Sequence, residues 1–311
     1  MRITSNTASD HLLAQLEKLG TRQAALQKQA STGMRVQSME DDPAAVGEAL
    51  GIQAEAAQNS QYLDNISRQQ EKATATHNTL RDLKKVLDRA QEIAVLADDL
   101  KSPEQLQDYA AEIGQLIDHA AAMANTRHGG QYLFSGTSLN KPFEIVRSAS
   151  GDLSEVRYAG SEITNQVEIS RGVAVSSSIP GANTTGTAER GLFVDSRSGA
   201  DLFGNLIRLQ KRLSEGNTAA IATEDRVALS NDETNFIHHI TANSALHARL
   251  EAASSSLKTK GTELKTQLSA RIDADLAETM VNFSQTQTAY QVALQSAGRV
   301  MASMSLMDFL R

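Results

Sequence analysis

Two amphipathic stripes, one at each end of the 311-residue chain, restrict its possible folds more than any other feature. Leu12, Leu16, Leu19, Leu26 and Ala30 recur at steps of three and four, with Gln23 as the one polar step. Met280, Phe283, Tyr290, Leu294, Ala297, Met301 and Met304 keep the same rhythm near the C-terminus, with Gln287 as the polar step. Apolar residues every 3.5 positions seat one narrow seam of a helix against a partner helix. A lone helix with such a seam is marginal in water, so the first and last segments are expected to pair as a long antiparallel coiled coil.

Composition bounds the rest. A chain of this length can form two or three domains with real cores. There is no Trp, and only seven Phe, five Tyr and four Pro, which suits long helices better than a compact enzyme. The net charge of −7 argues against nucleic acid as a partner, since that ligand selects clustered Lys and Arg. No apolar run reaches the roughly 18 to 20 residues that cross a bilayer, so membrane insertion is not expected. The start, Met1-Arg2-Ile3-Thr4-Ser5, lacks the apolar core of a cleavable signal peptide. With no Cys there is no disulfide framework, thiolate metal site or Cys nucleophile.

The chain then divides by texture. Residues 5 to about 32 read as one helix ending near Gly33, followed by a connector closed by Asp41-Asp42-Pro43. An acidic residue before Pro marks a helix start, because the carboxylate accepts orphan N–H groups and Pro needs no partner there. A second helix is predicted from about 44 to 98, marked by Val46, Leu50, Ile66, Leu80, Leu83, Leu87, Ala90 and Ile93. Ser102-Pro103-Glu104-Gln105 is a capping box that opens a third helix to about 126. Between Gly129 and Gly204, which hold eleven of the nineteen glycines, short alternating runs replace the helical pattern. Residues 131–134, 143–146, 155–158 and 166–169 read as strands, and 176–191, rich in Ser, Thr and Gly, as a surface loop. Helix returns at about 201–214 and runs from about 218 to the C-terminus, with a softer point at Asp273-Ala274-Asp275. The expected division is a terminal coiled-coil domain (1–43 with 276–311), a helical bundle (44–130 with 196–275) and a β-rich insertion (131–195) projecting from the far end of the bundle. The fold class is mainly α with a small β-rich insertion.

Candidate chemistry is sparse. His238 and His239 are neighbours, about 100° apart on a helix, and His247 lies more than two turns away, so these are not metal ligands at workable spacing. Asp41-Asp42 and Asp98-Asp99 flank helix boundaries, where carboxylates cap. No phosphate-binding loop, nucleophile elbow or dinucleotide fingerprint is present. The expectation is a non-enzyme without cofactor or metal.

The terminal stripes carry the functional expectation. From Leu276 to Arg311 only Glu278, Arg299, Asp308 and Arg311 are charged. A helix whose back faces water normally carries more charge, whereas uncharged polar groups suit packing against neighbouring subunits. The run Leu306-Met307-Asp308-Phe309-Leu310 leaves an apolar patch that a free monomer would not keep exposed. The assembly interface is therefore assigned to Leu12, Leu16, Leu19, Leu26, Met280, Phe283, Tyr290, Leu294, Met301 and Met304.

Three motifs point to a family. Ser31-Thr32-Gly33-Met34-Arg35-Val36-Gln37-Ser38 with Asp41-Asp42-Pro43-Ala44 resembles the segment after the first helix of bacterial flagellins. Gly130-Gln131-Tyr132-Leu133-Phe134-Ser135-Gly136-Thr137, with Pro142-Phe143, is similar to a turn of the family's hook-associated branch. Asp273-Ala274-Asp275-Leu276-Ala277-Glu278 resembles the acidic step before the last helix of both. The resemblance to the flagellin superfamily implies a structural, secreted component of the bacterial flagellum, at the hook–filament junction. It further implies type III export without a cleaved leader and terminal helices that are disordered before assembly and then line a central tube. The implied partners are identical subunits in a layer, an adjacent hook-associated protein, flagellin and an export chaperone. A filament subunit and a secreted coiled-coil type III effector or translocon protein are the other readings of the same pattern.

Overall fold

The computed structural model describes residues 3–147 and 153–309, with side chains for 10–147 and 153–299. The three long helices at the start are α1 (Ile3–Thr32), α2 (Pro43–Leu96) and α3 (Pro103–Ala124). Short strands follow: β1 (Arg127–His128), β2 (Gln131–Tyr132), β3 (Phe143–Arg147), β4 (Leu153–Tyr158), β5 (Val167–Ser170), β6 (Val173–Val175), β7 (Ala182–Asn183), β8 (Val194–Asp195) and β9 (Ala200–Asp201). The chain then forms α4 (Leu202–Glu215), one turn of α5 (Thr218–Ala220), a π-helical turn at Ile221–Asp225, α6 (Arg226–Ile272) and α7 (Leu276–Phe309).

Local chemistry sets the helix ends. Ser102 and Gln105 form the reciprocal capping box that starts α3. Gly216, at φ +71°, ends α4 in the left-handed conformation that lacks a penalty only for glycine. Asp98 accepts from the N–H of Leu100 at 3.1 Å and serves the turn between α2 and α3, while Asp99 accepts from the Thr218 hydroxyl.

The strands pair locally, as antiparallel hairpins β1–β2, β3–β4 and β5–β6, while β8 lies parallel to β7 and antiparallel to β9. The predicted strand at 131–134 stops after Tyr132. Leu133 and Phe134 instead turn into the core, where both are buried. The Phe134 carbonyl accepts from the Gly181 N–H (3.0 Å) and the Tyr158 hydroxyl (3.1 Å), and the Ser135 carbonyl accepts from the Ser161 N–H (2.9 Å). Gly136, at φ +62°, permits this close approach: a Cβ there would lie 2.1 Å from the Ser161 carbonyl oxygen.

The chain separates into two compact units, residues 1–58 with 260–311 and residues 59–259. This division differs from the expected three domains. The terminal unit extends past 43 and 276 because the start of α2 and the end of α6 pair, through Arg271–Glu48 (3.0 Å) and Lys260–Glu55 (2.5 Å). The insertion is not a separate body, because it shares one core with the helices. Leu133, Phe134, Phe143, Leu192 and Phe193 pack with Leu80, Leu87, Ile113, Ile117, Phe203, Leu206 and Phe236. The ring of Phe193 stands among Phe143 (4.7 Å), Phe203 (5.3 Å), Phe134 (5.5 Å) and Phe236 (6.1 Å). Hairpin β5–β6 lies along the helices, with Ile169 and Val175 against Ile66 and Leu250.

The segment 176–191, expected as a surface loop, is partly buried: Ser177, Asn183 and the following Leu192 and Phe193 are within the unit. A loop can enter a core only if its backbone polar groups find partners. Helix α6 supplies them from Asn235 and His239, which share one buried polar face with Asp232 and Asn243. Asn235 donates to the carbonyls of Gly191 (2.9 Å) and Leu192 (2.8 Å), and His239 Nε2 lies 3.2 Å from the Gly191 carbonyl. Asp232 accepts from the Asp201 N–H (2.8 Å) and the Asn205 amide (2.7 Å). Asn243 donates to the Ala73 carbonyl in α2 (2.9 Å). Gly191 has no room for a side chain, since a Cβ would lie 2.0 Å from the Val194 carbonyl oxygen.

Candidate assembly surface

Within the terminal unit, α1 and α7 run antiparallel from a pair of hydrogen-bonded connectors. Gly33, at φ +72°, caps α1, its N–H donating to the Gln29 carbonyl (2.8 Å) while its carbonyl accepts from the Ala274 N–H (2.8 Å). Met34 and Asp273 form an antiparallel bridge, and the Arg35 N–H donates to the Ile272 carbonyl (2.7 Å). The connector's Val36 is buried. Asp41 accepts from the N–H groups of Gln37 and Ser38, both at 3.0 Å, which holds its carboxyl below the usual range. Asp42 accepts from the Ala45 N–H (3.0 Å) at the start of α2, with the same effect on its pKa. Asp275 caps α7, accepting from Ala277 (2.9 Å) and Glu278 (3.1 Å). The motif at 31–44 and the acidic step at 273–278 are thus two halves of one structure, a paired hinge that sets α1 beside α7.

The seam of α1 lies where its periodicity places it. Leu12, Leu16, Leu19, Gln23, Leu26 and Ala30 are half-buried, and Leu13 is exposed. The seam of α7 is rotated by one residue from the expected stripe. Thr279, Phe283, Thr286, Tyr290, Ala293 and Ala297 are buried or half-buried, whereas Met280 and Leu294 are 57% and 47% exposed. Phe283, Tyr290 and Ala297 belong to both stripes, and the side chains of Met301 and Met304 lie outside the described residues. Small residues on α7 face the leucines of α1; the Cβ position of Gly20 lies 3.8 Å from the Tyr290 ring. Thr279 and Thr286 bury their hydroxyls without orphaning them, donating to the carbonyls of Asp275 and Asn282 at 2.7 Å each.

The rotation leaves an outward apolar set on α7: Leu276, Met280, Val281, Val292 and Leu294 are all exposed. The charged residues from 276 to 299 are Glu278 and Arg299 alone. At about 100° per residue these side chains spread around the helix, Leu276, Met280 and Leu294 flanking the seam and Val281 and Val292 lying opposite it.

Among the described residues no helix is long and apolar enough to cross a membrane, and no three His, Asp or Glu side chains gather as for a metal. His239 spends its Nε2 on Gly191, and burial pushes its pKa down to about 4. Sequence reasoning weighed His239 only as a ligand and set it aside; its spacing with Asp232, Asn235 and Asn243 was the available sign of a buried polar face.

The family model described as the bacterial flagellin N-terminal helical region matches residues 3–138. Flagellar hook-associated protein 3 of Salmonella typhimurium is 24% identical over 321 residues, covering 95% of this chain and 96% of the relative. The protein of that name from Escherichia coli is 26% identical over 284 residues, covering 86% and 87%. The fold is that of a putative flagellar hook-associated protein from Vibrio parahaemolyticus (TM-score 0.64, 17% identity, 75% of this chain and 100% of that one). It is also that of FlgL from Xanthomonas campestris (TM-score 0.57, 20% identity, 69% and 98%). With its paired terminal helices, its hinge motif and this end-to-end similarity, the chain resembles flagellar hook-associated protein 3, and over residues 3–138 it matches the flagellin N-terminal helical region.

Proposed function

We propose that this chain is a structural, non-enzymatic part of the bacterial flagellum, a layer at the hook–filament junction that assembles through its terminal helices. Its partners in this reading are identical subunits, the adjacent hook-associated protein, flagellin and an export chaperone. The observation that carries the reading is the outer surface of α7, where five large apolar side chains and almost no charge face outward. Ordering a helix costs roughly 1–2 kcal/mol of backbone entropy per residue. The α1–α7 seam, with Thr or Ala at four of its six α7 positions, offsets only part of this cost. Burying Met280, Leu294 and their neighbours against other subunits supplies the rest, at about 25 cal/mol per Å² of apolar surface.

Folding of the ends and assembly are then one event. Hydrogen exchange on the free chain should find residues 1–30 and 280–311 unprotected beside a protected 59–259; strong protection at both ends would overturn the coupling. Leu16→Asp breaks the seam, whereas Leu294→Asp places a charge on the outward surface. Both should leave the central unit folded and abolish incorporation into flagella, read by motility and by immunoblot of sheared filaments. Normal swimming by either variant would refute the interface. Deleting the gene should yield hooks without filaments, with flagellin shed into the medium. Spontaneous growth of long filaments from the purified chain would instead favour a filament subunit.

A further inference from the structure

A cavity of about 540 Å³ opens in the central unit between the outer face of α2 and the insertion. Its size falls in the range of small-molecule sites. Arg68, Gln69 and Lys72 line it from α2, and Gln131, Asn165 and Ser178 from the insertion. Of the half-buried cations of the central unit, Lys84, Arg89, Arg208 and Arg212 each meet a carboxylate at 3.0 Å or less, whereas Arg226, like the exposed Arg127, donates to a backbone carbonyl. Among the described residues half-buried Lys72 bonds only the Ser178 hydroxyl, and burial lowers its pKa. Arg68 stands one turn earlier on the same face and donates to the Asn65 side-chain oxygen (2.7 Å), not to an acid. Like charges one helical turn apart repel, and a desolvated ammonium lacking a counter-ion is costly. Glu71 is the one acid on the wall, and His128 is a further titratable group beside it.

Uncommitted amides share the wall with these cations. Gln69 uses its oxygen to accept from Ser177, and its amide N–H groups make no hydrogen bond among the described residues. The side chains of Gln131 and Asn165 make no hydrogen bond among the described residues although both line the cavity. Two cations call for an anionic group, and three carboxamides, each able to donate and accept, call for hydroxyls around it.

We propose that this cavity binds an acidic sugar, with its carboxylate against Lys72 and Arg68 and its hydroxyls on Gln69, Gln131 and Asn165. All of the lining residues belong to the central unit. The test is calorimetric titration of the full chain with a galacturonate disaccharide, its neutral galactose counterpart and inorganic phosphate. The acidic disaccharide should bind at least about tenfold more tightly than either other probe, the size of one charge-assisted hydrogen bond. Lys72→Met should weaken it about tenfold, and Gln131→Ala combined with Asn165→Ala severalfold, with unchanged melting curves. Arg68→Gln, at an exposed position, serves should Lys72→Met not fold. Equal binding of the neutral sugar, phosphate binding as tight as the acidic sugar, or unchanged affinity in the variants would each overturn the proposal.

Discussion

Phe193→Ala is expected to destabilise the central unit by about 3–5 kcal/mol, in the range for truncating a fully buried phenylalanine. The effect should lie at the upper end. Phe193 is fully buried and its ring touches four other phenylalanines, which come from the insertion (Phe134, Phe143), α4 (Phe203) and α6 (Phe236). Removing it leaves a void that no single element can collapse to fill, because the surrounding rings sit on four separate pieces of backbone. It also withdraws favourable edge-on ring contacts, each worth about 0.5–1.5 kcal/mol beyond burial. Chemical denaturation followed by near-ultraviolet circular dichroism reads the loss. A change below about 1 kcal/mol, the level of an ordinary surface substitution, would show that the insertion and the helices do not share this core.

The second large effect concerns pH. Burial takes the pKa of His239 down to about 4, against about 6.5 for an exposed histidine. Between those values the unfolded chain binds the proton and the native chain does not. The contribution of His239 is therefore fully present above pH 6.5 and is lost as pH falls towards 4, by about 3 kcal/mol. Asp232 acts the other way: burial raises its carboxyl to about 7, so the native chain holds the extra proton between roughly pH 4 and 7 and stability rises on acidification. The two groups mask each other in the native protein. His239→Gln keeps an N–H donor for the Gly191 carbonyl and removes one side of this balance. Its unfolding free energy, measured against wild type in urea, should shift by about 3 kcal/mol in the variant's favour between pH 7 and pH 4. A difference that stays constant across that range would mean that His239 titrates as if exposed.

Much of the fold was legible because its causes are local. The capping box at Ser102–Gln105, the cap of Asp275 on α7 and the turn of Asp41 on Gln37 and Ser38 are each fixed by side chains bonding backbone within a few residues. The seam of α1 was legible too, since its leucines offer one heptad frame. The seam of α7 was not. Two frames one residue apart coexist there, Met280–Gln287–Leu294 and Thr279–Thr286–Ala293, sharing Phe283 and Tyr290. Hydrophobicity favours the first, but the leucines of α1 already fill the space between the helices, and the smaller residues let the backbones approach. That choice turned Met280 and Leu294 outward, and with them the candidate assembly surface.

The sequence alone determined which stretches are helical, where they stop and how the ends are composed, because backbone hydrogen bonds, caps and periodicity act over one or two turns. Only the tertiary structure decided that a Ser- and Gly-rich stretch enters the core. Its carbonyls at 191 and 192 are satisfied by Asn235 and His239, more than forty residues away, and no local pattern encodes a hydrogen bond across that distance.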